Sequence, residues 1–342
     1  MIGYYAHHHG SGHITRLQSI TACLHESVWG LSSLQAPAGW TQPWTQLARD
    51  DTPSPSAAAA AGDVTAGGVL HWAPPLHEGL SARMAQLAEW IAQHRPQLLV
   101  VDVSVEVALL ARLCGVPTVV VALPGRRLDR PHRLAHDSAE ALLAPWPEGA
   151  HTDDWPSSWQ DKVWCVGGIS RFDGRSAAPV RMGARRPRRQ VLVLWGSGGR
   201  SADRDAVAAA RAAAPHWDWL ERDPASSPSP DLWGELAAAN VVVTHAGQNA
   251  VAEVAAARRP AVVIAQTRPF GEQEATAAAV NRLGAAVGLP SWPGAADWPA
   301  LLERAASLGG TGWSRWSTGD GARKAACQLE ALAGSVGAEG VA

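Results

Sequence analysis

Residues 7–13, HHHGSGH, bring four histidines and two glycines into seven positions. They follow IGYYA (2–6), an apolar run with the character of a buried strand, and precede HITRLQSITACLHE. In that second stretch Ile14, Leu17, Ile20 and Leu24 fall on one helical face. Gly10, Ser11 and Gly12 therefore occupy the turn where a first strand becomes a first helix. Ligands of open α/β sheets sit at the C-terminal ends of the strands, and glycines there let the backbone come close to a substrate. His13, at the helix start, is placed to project into such a crevice, where an imidazole can accept a proton at neutral pH. His7, His8 and His9 read as solvated loop residues. A metal site built from them is disfavoured, because adjacent residues rarely chelate together and no carboxylate or cysteine stands near them.

A second constellation lies in VVVTHAGQNAVAEVAAARRPAVVIAQTRPFGEQEATAAAV (241–280). The pattern predicts a strand ending at Thr244, a turn at Gly247, and a helix with Gln248, Asn249 and Glu253 near its start. A strand at 261–265 then leads through a loop into a helix opened by Glu272 and Gln273. A helix N-terminus behind a glycine turn is a natural anion site, because its free N–H groups point at the ligand. A carboxylate on the first or second turn cannot bind that phosphate, but it can accept hydrogen bonds from two neighbouring ribose hydroxyls. The alternative for Glu253 is a solvated helix carboxylate.

The elements that must hold these residues are short apolar runs, most of them rich in Val and Ile. They are IGYYA (2–6), LLVVDV (98–103), TVVVAL (118–123), QVLVLWG (190–196), NVVVTHA (240–246) and PAVVIAQ (260–266). Several are followed by helical patterns, so an α/β fold with parallel sheets is expected. The run from Val163 to Gly168 closes a first half, and RFDGRSAAPVRMGARRPRRQ (171–190) has the composition of a linker. Two units follow, 1–170 and 191–320, joined by 171–190 and completed by a helix and tail over 321–342. In that last segment GARKAACQLEALAG (321–334) reads as a helix with a glycine stop. Pro and Ser clusters at 52–56 and 224–230 read as surface loops.

The chain's 342 residues suit two domains, and 46% hydrophobic residues are ample for packed cores. A net charge of -2 predicts no attraction to nucleic acid or to an anionic membrane. No window approaches the roughly 18 apolar residues of a membrane span. MIGYYA runs straight into histidines, without the order of a signal peptide, so a cytoplasmic location is expected. Cys23, Cys114, Cys165 and Cys327 are far apart and form no CxxC, which predicts buried free thiols in a reducing compartment.

At its second constellation the chain resembles a known family. H-x-G-x-N-x-x-x-E from His245 to Glu253, an apolar strand, and the acid-Gln pair Glu272-Gln273 are similar to the donor signature of GT-B nucleotide-sugar glycosyltransferases, among them MurG-type enzymes and UDP-glycosyltransferases. The opening GSGHITR resembles their G-x-G-H loop. The resemblance implies two Rossmann-like domains facing across a cleft. It implies that His245 and Asn249, with the backbone at Ala246 and Gly247, hold the donor's phosphates beside Gln248, and that Glu253 binds the ribose. Glu272 and Gln273 would reach the sugar or the pyrophosphate, although the family often carries Asp at the position of Glu272. The loop Gly196, Ser197, Gly198 would line the diphosphate, and Arg171 resembles an arginine that some members aim at the phosphates. In the first half, His13 matches the general base and Asp102 an aspartate that orients it; the alternative for Asp102 is a cap on the helix that follows Ser104.

The mechanism so implied is inverting, metal-independent transfer from a nucleoside-diphosphate sugar, a UDP-sugar by resemblance, to an acceptor hydroxyl, with no cofactor. Arg16 departs from the proline that many members carry three residues after the base. G-x-G-H-x-x-R also resembles nucleotide-sugar hydrolases related to MurG, which activate water with a comparable histidine. Epimerases of the same architecture and a non-catalytic nucleotide-sugar sensor are the remaining alternatives. The acceptor is open: a small molecule, a glycan or a lipid-linked group, the last implying peripheral membrane contact. Trp146, Trp155, Trp159 and Trp164 fit ordinary packing better than an aromatic acceptor platform.

Overall fold

The computed structural model describes residues 1–52, 62–151, 154–175, 189–196 and 204–339. Strands β1 (Ile2–Ala6), β2 (Val28–Ser32), β3 (Trp44–Gln46), β4 (Leu98–Asp102), β5 (Thr118–Val121), β6 (Ala141–Ala144) and β7 (Val163–Cys165) form one sheet in the order β3-β2-β1-β4-β5-β6-β7. Strands β8 (Arg189–Leu194), β9 (Trp217–Arg222), β10 (Val241–His245), β11 (Ala261–Ile264) and β12 (Val287–Leu289) form a second in the order β12-β11-β10-β8-β9. All pairings within the two sheets are parallel. The six apolar runs become β1, β4, β5, β8, β10 and β11, whose Val and Ile side chains are buried on both faces, as parallel strands under helices require. Strands β2, β3, β6, β9 and β12 carry no such run and escape a reading by hydropathy.

The helices are α1 (Gly12–Thr21), α2 (Glu78–His94), α3 (Val105–Leu113), α4 (Arg130–Ser138), α5 (Ser157–Gln160), α6 (Arg204–Ala213), α7 (Leu232–Ala238), α8 (Gln248–Ala256), α9 (Glu272–Arg282), α10 (Trp298–Leu308) and α11 (Gly321–Glu339). In α1, Leu17 and Ile20 are fully buried, with Ile14 and Leu24 packed beside them. The final helix corrects the expected stop: α11 runs through Gly334, which sits in open space, to Glu339. Its Ala322, Ala325, Ala326, Leu329 and Ala333 pack with α1 and the first sheet, so the last element of the chain completes the core of the first half.

The main chain thus passes between the halves twice, and the two passages touch. Gly168 N–H donates to Trp316 O at 3.3 Å, and Ser317 Oγ donates to Gly168 O at 3.0 Å. Most of the expected linker, 176–188, lies outside the described residues, as does most of the 52–56 cluster.

Trp146, Trp155 and Trp159 are core residues in edge-to-face contact, with centroids 6.3 Å and 5.6 Å apart, and Trp164 packs beneath the first sheet. The thiols correct the expectation of burial: Cys114 and Cys327 are exposed, Cys23 and Cys165 half-buried. None of the described helices is long and apolar enough to cross a membrane.

Candidate active site

Both sheets turn the C-terminal ends of their central strands towards one cleft of about 840 Å³ between the halves. Gly10, Ser11, Gly12 and His13 line it from the first half. Gly196, His245, Gly247, Gln248, Asn249 and Glu253 line it from the second, with Arg171, Glu272 and Gln273 at its edges. Ser197 and Gly198 lie outside the described residues.

Behind His13 stands the carboxylate. β1 and β4 run side by side with Ala6 opposite Asp102, so the turn into α1 sits over the end of β4. His13 Nδ1 is 2.8 Å from Asp102 Oδ1, Arg16 Nη1 donates to the same oxygen at 2.7 Å, and Tyr4 OH donates to Oδ2 at 3.2 Å. Asp102 is fully buried. Burial pushes its carboxyl up, but Arg16, then His13 and the hydrogen bonds from His13 and Tyr4, prevail and hold it below the ordinary carboxylate value. An ionised carboxylate only accepts, so His13 Nδ1 donates to it, and in the neutral ring the lone pair is on Nε2. Asp102 caps no helix; Ser104 does, its side chain accepting from Val107 N–H at 3.2 Å. Val103 between them is held at φ 64°, a strained conformation for a β-branched residue that turns the chain sharply behind the carboxylate.

The opposite wall is built by the turn from β10 into α8. Among the described residues no side chain caps α8, so its first N–H groups face the cleft. Gly247 N–H donates to His245 Nδ1 at 3.1 Å, which leaves the proton on Nε2. Burial, with Arg268 adding to it, pushes the His245 pKa down to about 4, so at neutral pH the ring is an uncharged donor. The ring packs so closely on Gly196 and Gly247 that a side chain at either would run into it. Asn249 Nδ2 reaches across to donate to Gly12 O at 3.3 Å.

Several expected contacts are engaged within the protein. The Ala246 N–H is committed to Ile264 O at 3.0 Å and Gln273 Oε1 at 3.1 Å, and that of Gly247 to His245. Gln273 Oε1 also accepts from Gln266 N–H at 3.1 Å, so this side chain braces the ends of β10 and β11. Arg171 Nε lies 2.8 Å from Glu253 Oε1. Burial raises the Glu253 pKa above its ordinary value, and Arg171 only partly opposes it. Glu272 is paired across the cleft with Arg127 at 3.1 Å, a partner that nothing in the sequence singled out. Arg222 at the end of β9 and the loop after it, with Asp223 and Pro224, line the cleft as well; of these only the loop from Pro224 was legible, as a Pro/Ser cluster.

The histidine run departs furthest from expectation. His8 is buried, His7 half-buried, and of the three only His9 is exposed. Carboxylates do stand near them: His8 Nε2 is 3.3 Å from Asp51, and His9 Nε2 is 3.2 Å from it. Buried Arg83 ties this knot, with Nη1 2.9 Å from Asp50 and Nη2 3.3 Å from His8 Nδ1. Folding, not sequence proximity, supplies these partners, because residues 49–51 follow β3 at the same end of the sheet.

Residues 229–291, from before α7 to just past β12, match the Glycosyltransferase family 28 C-terminal domain. No curated protein matches the sequence. Among solved structures, Acinetobacter baumannii MurG is similar at TM-score 0.61 and 15% identity, with 98% of each chain covered. Spinosyn rhamnosyltransferase SpnG complexed with thymidine diphosphate is similar at TM-score 0.59 and 19% identity, covering 98% of this chain and 99% of that one. Arabidopsis thaliana UGT89C1 complexed with UDP is similar at TM-score 0.61 and 16% identity, with 98% and 99% covered. The chain has the GT-B fold of these structures, and residues 229–291 of its second half are similar to the C-terminal domain of family 28 glycosyltransferases.

Proposed function

We propose that this protein is an inverting, metal-independent glycosyltransferase that moves a sugar from a nucleoside-diphosphate sugar to an acceptor hydroxyl. The observation that carries the reading is the His13–Asp102 pair, 2.8 Å apart, facing the uncapped start of α8 across one cleft. His13 Nε2 takes the acceptor's proton as the oxygen attacks the anomeric carbon. Asp102 holds the ring's tautomer and steadies the imidazolium as it forms. The nucleoside diphosphate leaves from the opposite face, towards the α8 N-terminus, the Nε2–H of His245 and Asn249. Well-placed donors of this kind are worth about 3–4 kcal/mol each in other enzymes. Glu253 takes the ribose once Arg171, which is half exposed, swings aside. Glu272 takes the sugar on release from Arg127. Residues 1–170 act as the acceptor and base domain and 191–320 as the donor domain. The exposed free thiols of Cys114 and Cys327 suit the reducing cytoplasm.

The relatives solved with ligands hold UDP and thymidine diphosphate, so these two head the test. Calorimetry with UDP, dTDP, GDP, ADP and CMP, all without metal, is expected to single out one nucleoside diphosphate, and Glu253→Ala to abolish its binding. No binding by any of the five to the folded protein overturns the reading. Arg16 favours a second reading, hydrolysis of the nucleotide sugar by a water that His13 activates. Sugar released at full rate without an acceptor would decide for it.

A further inference from the structure

Arg16 is a departure from the family pattern whose side chain lies at the centre of the site. It stands one helical turn after His13, so both side chains leave α1 on the same face. Its guanidinium is buried and spans the two halves of the molecule. Nη1 donates to Asp102 Oδ1 at 2.7 Å, and Nη2 donates to Gln248 Oε1 at 2.6 Å. A guanidinium is a rigid planar fork, so the position of one nitrogen fixes that of the other. It also only donates. The Gln248 oxygen must therefore face Arg16, and the Gln248 NH2 must face the other way. That Nε2 is buried and has no hydrogen-bond partner among the described residues, although Gln248 lines the cleft as the first residue of α8. A buried amide donor left unpaired costs stability, and here it lies beside the helix start where the proposed function puts a diphosphate.

We propose that Arg16 is a positioning residue that sets the donor site and the base together: one fork holds the carboxylate orienting His13 and turns the Gln248 amide towards the donor's diphosphate oxygens. The inference rests on the transferase reading for the identity of the ligand. Its geometry explains why an arginine stands here. A lysine would supply the same charge to Asp102 as a point donor, but it could not span to Gln248 with a second fixed nitrogen. Arg16 touches neither substrate; it acts through Asp102 and Gln248.

The test uses the full chain and three variants, with UDP and dTDP as calorimetric probes and donor kinetics alongside. Gln248→Ala is expected to weaken the better nucleoside diphosphate by about 10–100-fold. Arg16→Met is expected to lose the same affinity and also to lower kcat, because Asp102 loses its partner. Arg16→Lys is expected to restore kcat but not affinity. The affinity losses of Arg16→Met and Gln248→Ala should not add in the double variant, since both remove one contact. Additive losses, a lysine that restores both properties, or Arg16→Met with affinity within about twofold of wild type would each overturn the proposal. Gln248 lies at the cleft surface, so its variant keeps the test informative if Arg16→Met fails to fold. If no acceptor supports transfer, the calorimetric cycle still tests the Arg16–Gln248 arm, so failure of the activity and failure of the coupling are distinguishable.

Discussion

At the scale of single residues the cleft separates charge from proton transfer. His13 Nδ1 is fixed against Asp102, while His245 and the start of α8 present donors without formal charge to the same cleft. His13→Ala should lower kcat by about 10²–10⁴-fold, the usual worth of a general base. Nucleoside diphosphate affinity should stay within about twofold, since His13 stands on the other wall; calorimetry beside turnover measures both. Glu253 adds a pH signature. Its burial raises the pKa above 4.5, so it picks up a proton sooner on acidification than an ordinary glutamate does. A protonated carboxyl has lost its charge and turned one of its two acceptor oxygens into a donor, so it holds two ribose hydroxyls less well. Affinity for the nucleoside diphosphate should therefore be full above the raised pKa and fall as pH drops through it. In Glu253→Gln affinity should be low and flat over the same range; a wild-type profile equally flat would remove Glu253 from the ribose.

At the scale of elements, the turns decide what the residues can do. Gly196 and Gly247 let the His245 ring lie against bare backbone, and Gly247→Ala puts a methyl group into it. The backbone of Gly247, at φ -72°, would accept alanine without strain. The damage should thus appear in function as well as in packing: kcat/KM down by up to on the order of 100-fold, as misplacement of about 1 Å can cause, with a lowered melting transition from the overpacked ring. This turn was legible in the sequence because apolar strand, glycine and polar helix start follow each other within a few residues. The β1–α1 turn was legible for the same reason, and so His13 and the α8 residues were found. Partnerships between distant segments were not. Arg127 with Glu272, Arg16 with Gln248, and Arg83 with Asp50 each join residues far apart in the chain, and no local pattern marks them. Strands such as β9, WDWLER, were missed because their hydrophobic content is in tryptophans rather than in a Val/Ile run.

At the scale of the whole molecule, the two passages of the chain lie against each other where Gly167 and Gly168 meet Trp316 and Ser317. A Cβ on Gly168 would come within 3.1 Å of the Trp316 indole and 3.3 Å of the Ala252 side chain on α8. Gly168→Val should therefore shift the second half against the first. Such changes act on binding and turnover together, so kcat and KM are both expected to move, while the isolated affinity for UDP or dTDP changes less. Unaltered kinetics in this variant would mean that the joint tolerates displacement without consequence for the cleft. The return of α11 to the first half has a further consequence. A donor held on one half and an acceptor on the other meet at an effective concentration set by the tether between the halves. Two adjacent tethers confine that meeting far more than one, so much of the translational entropy of bringing donor to base is lost once, when the protein folds, and not again at every turnover.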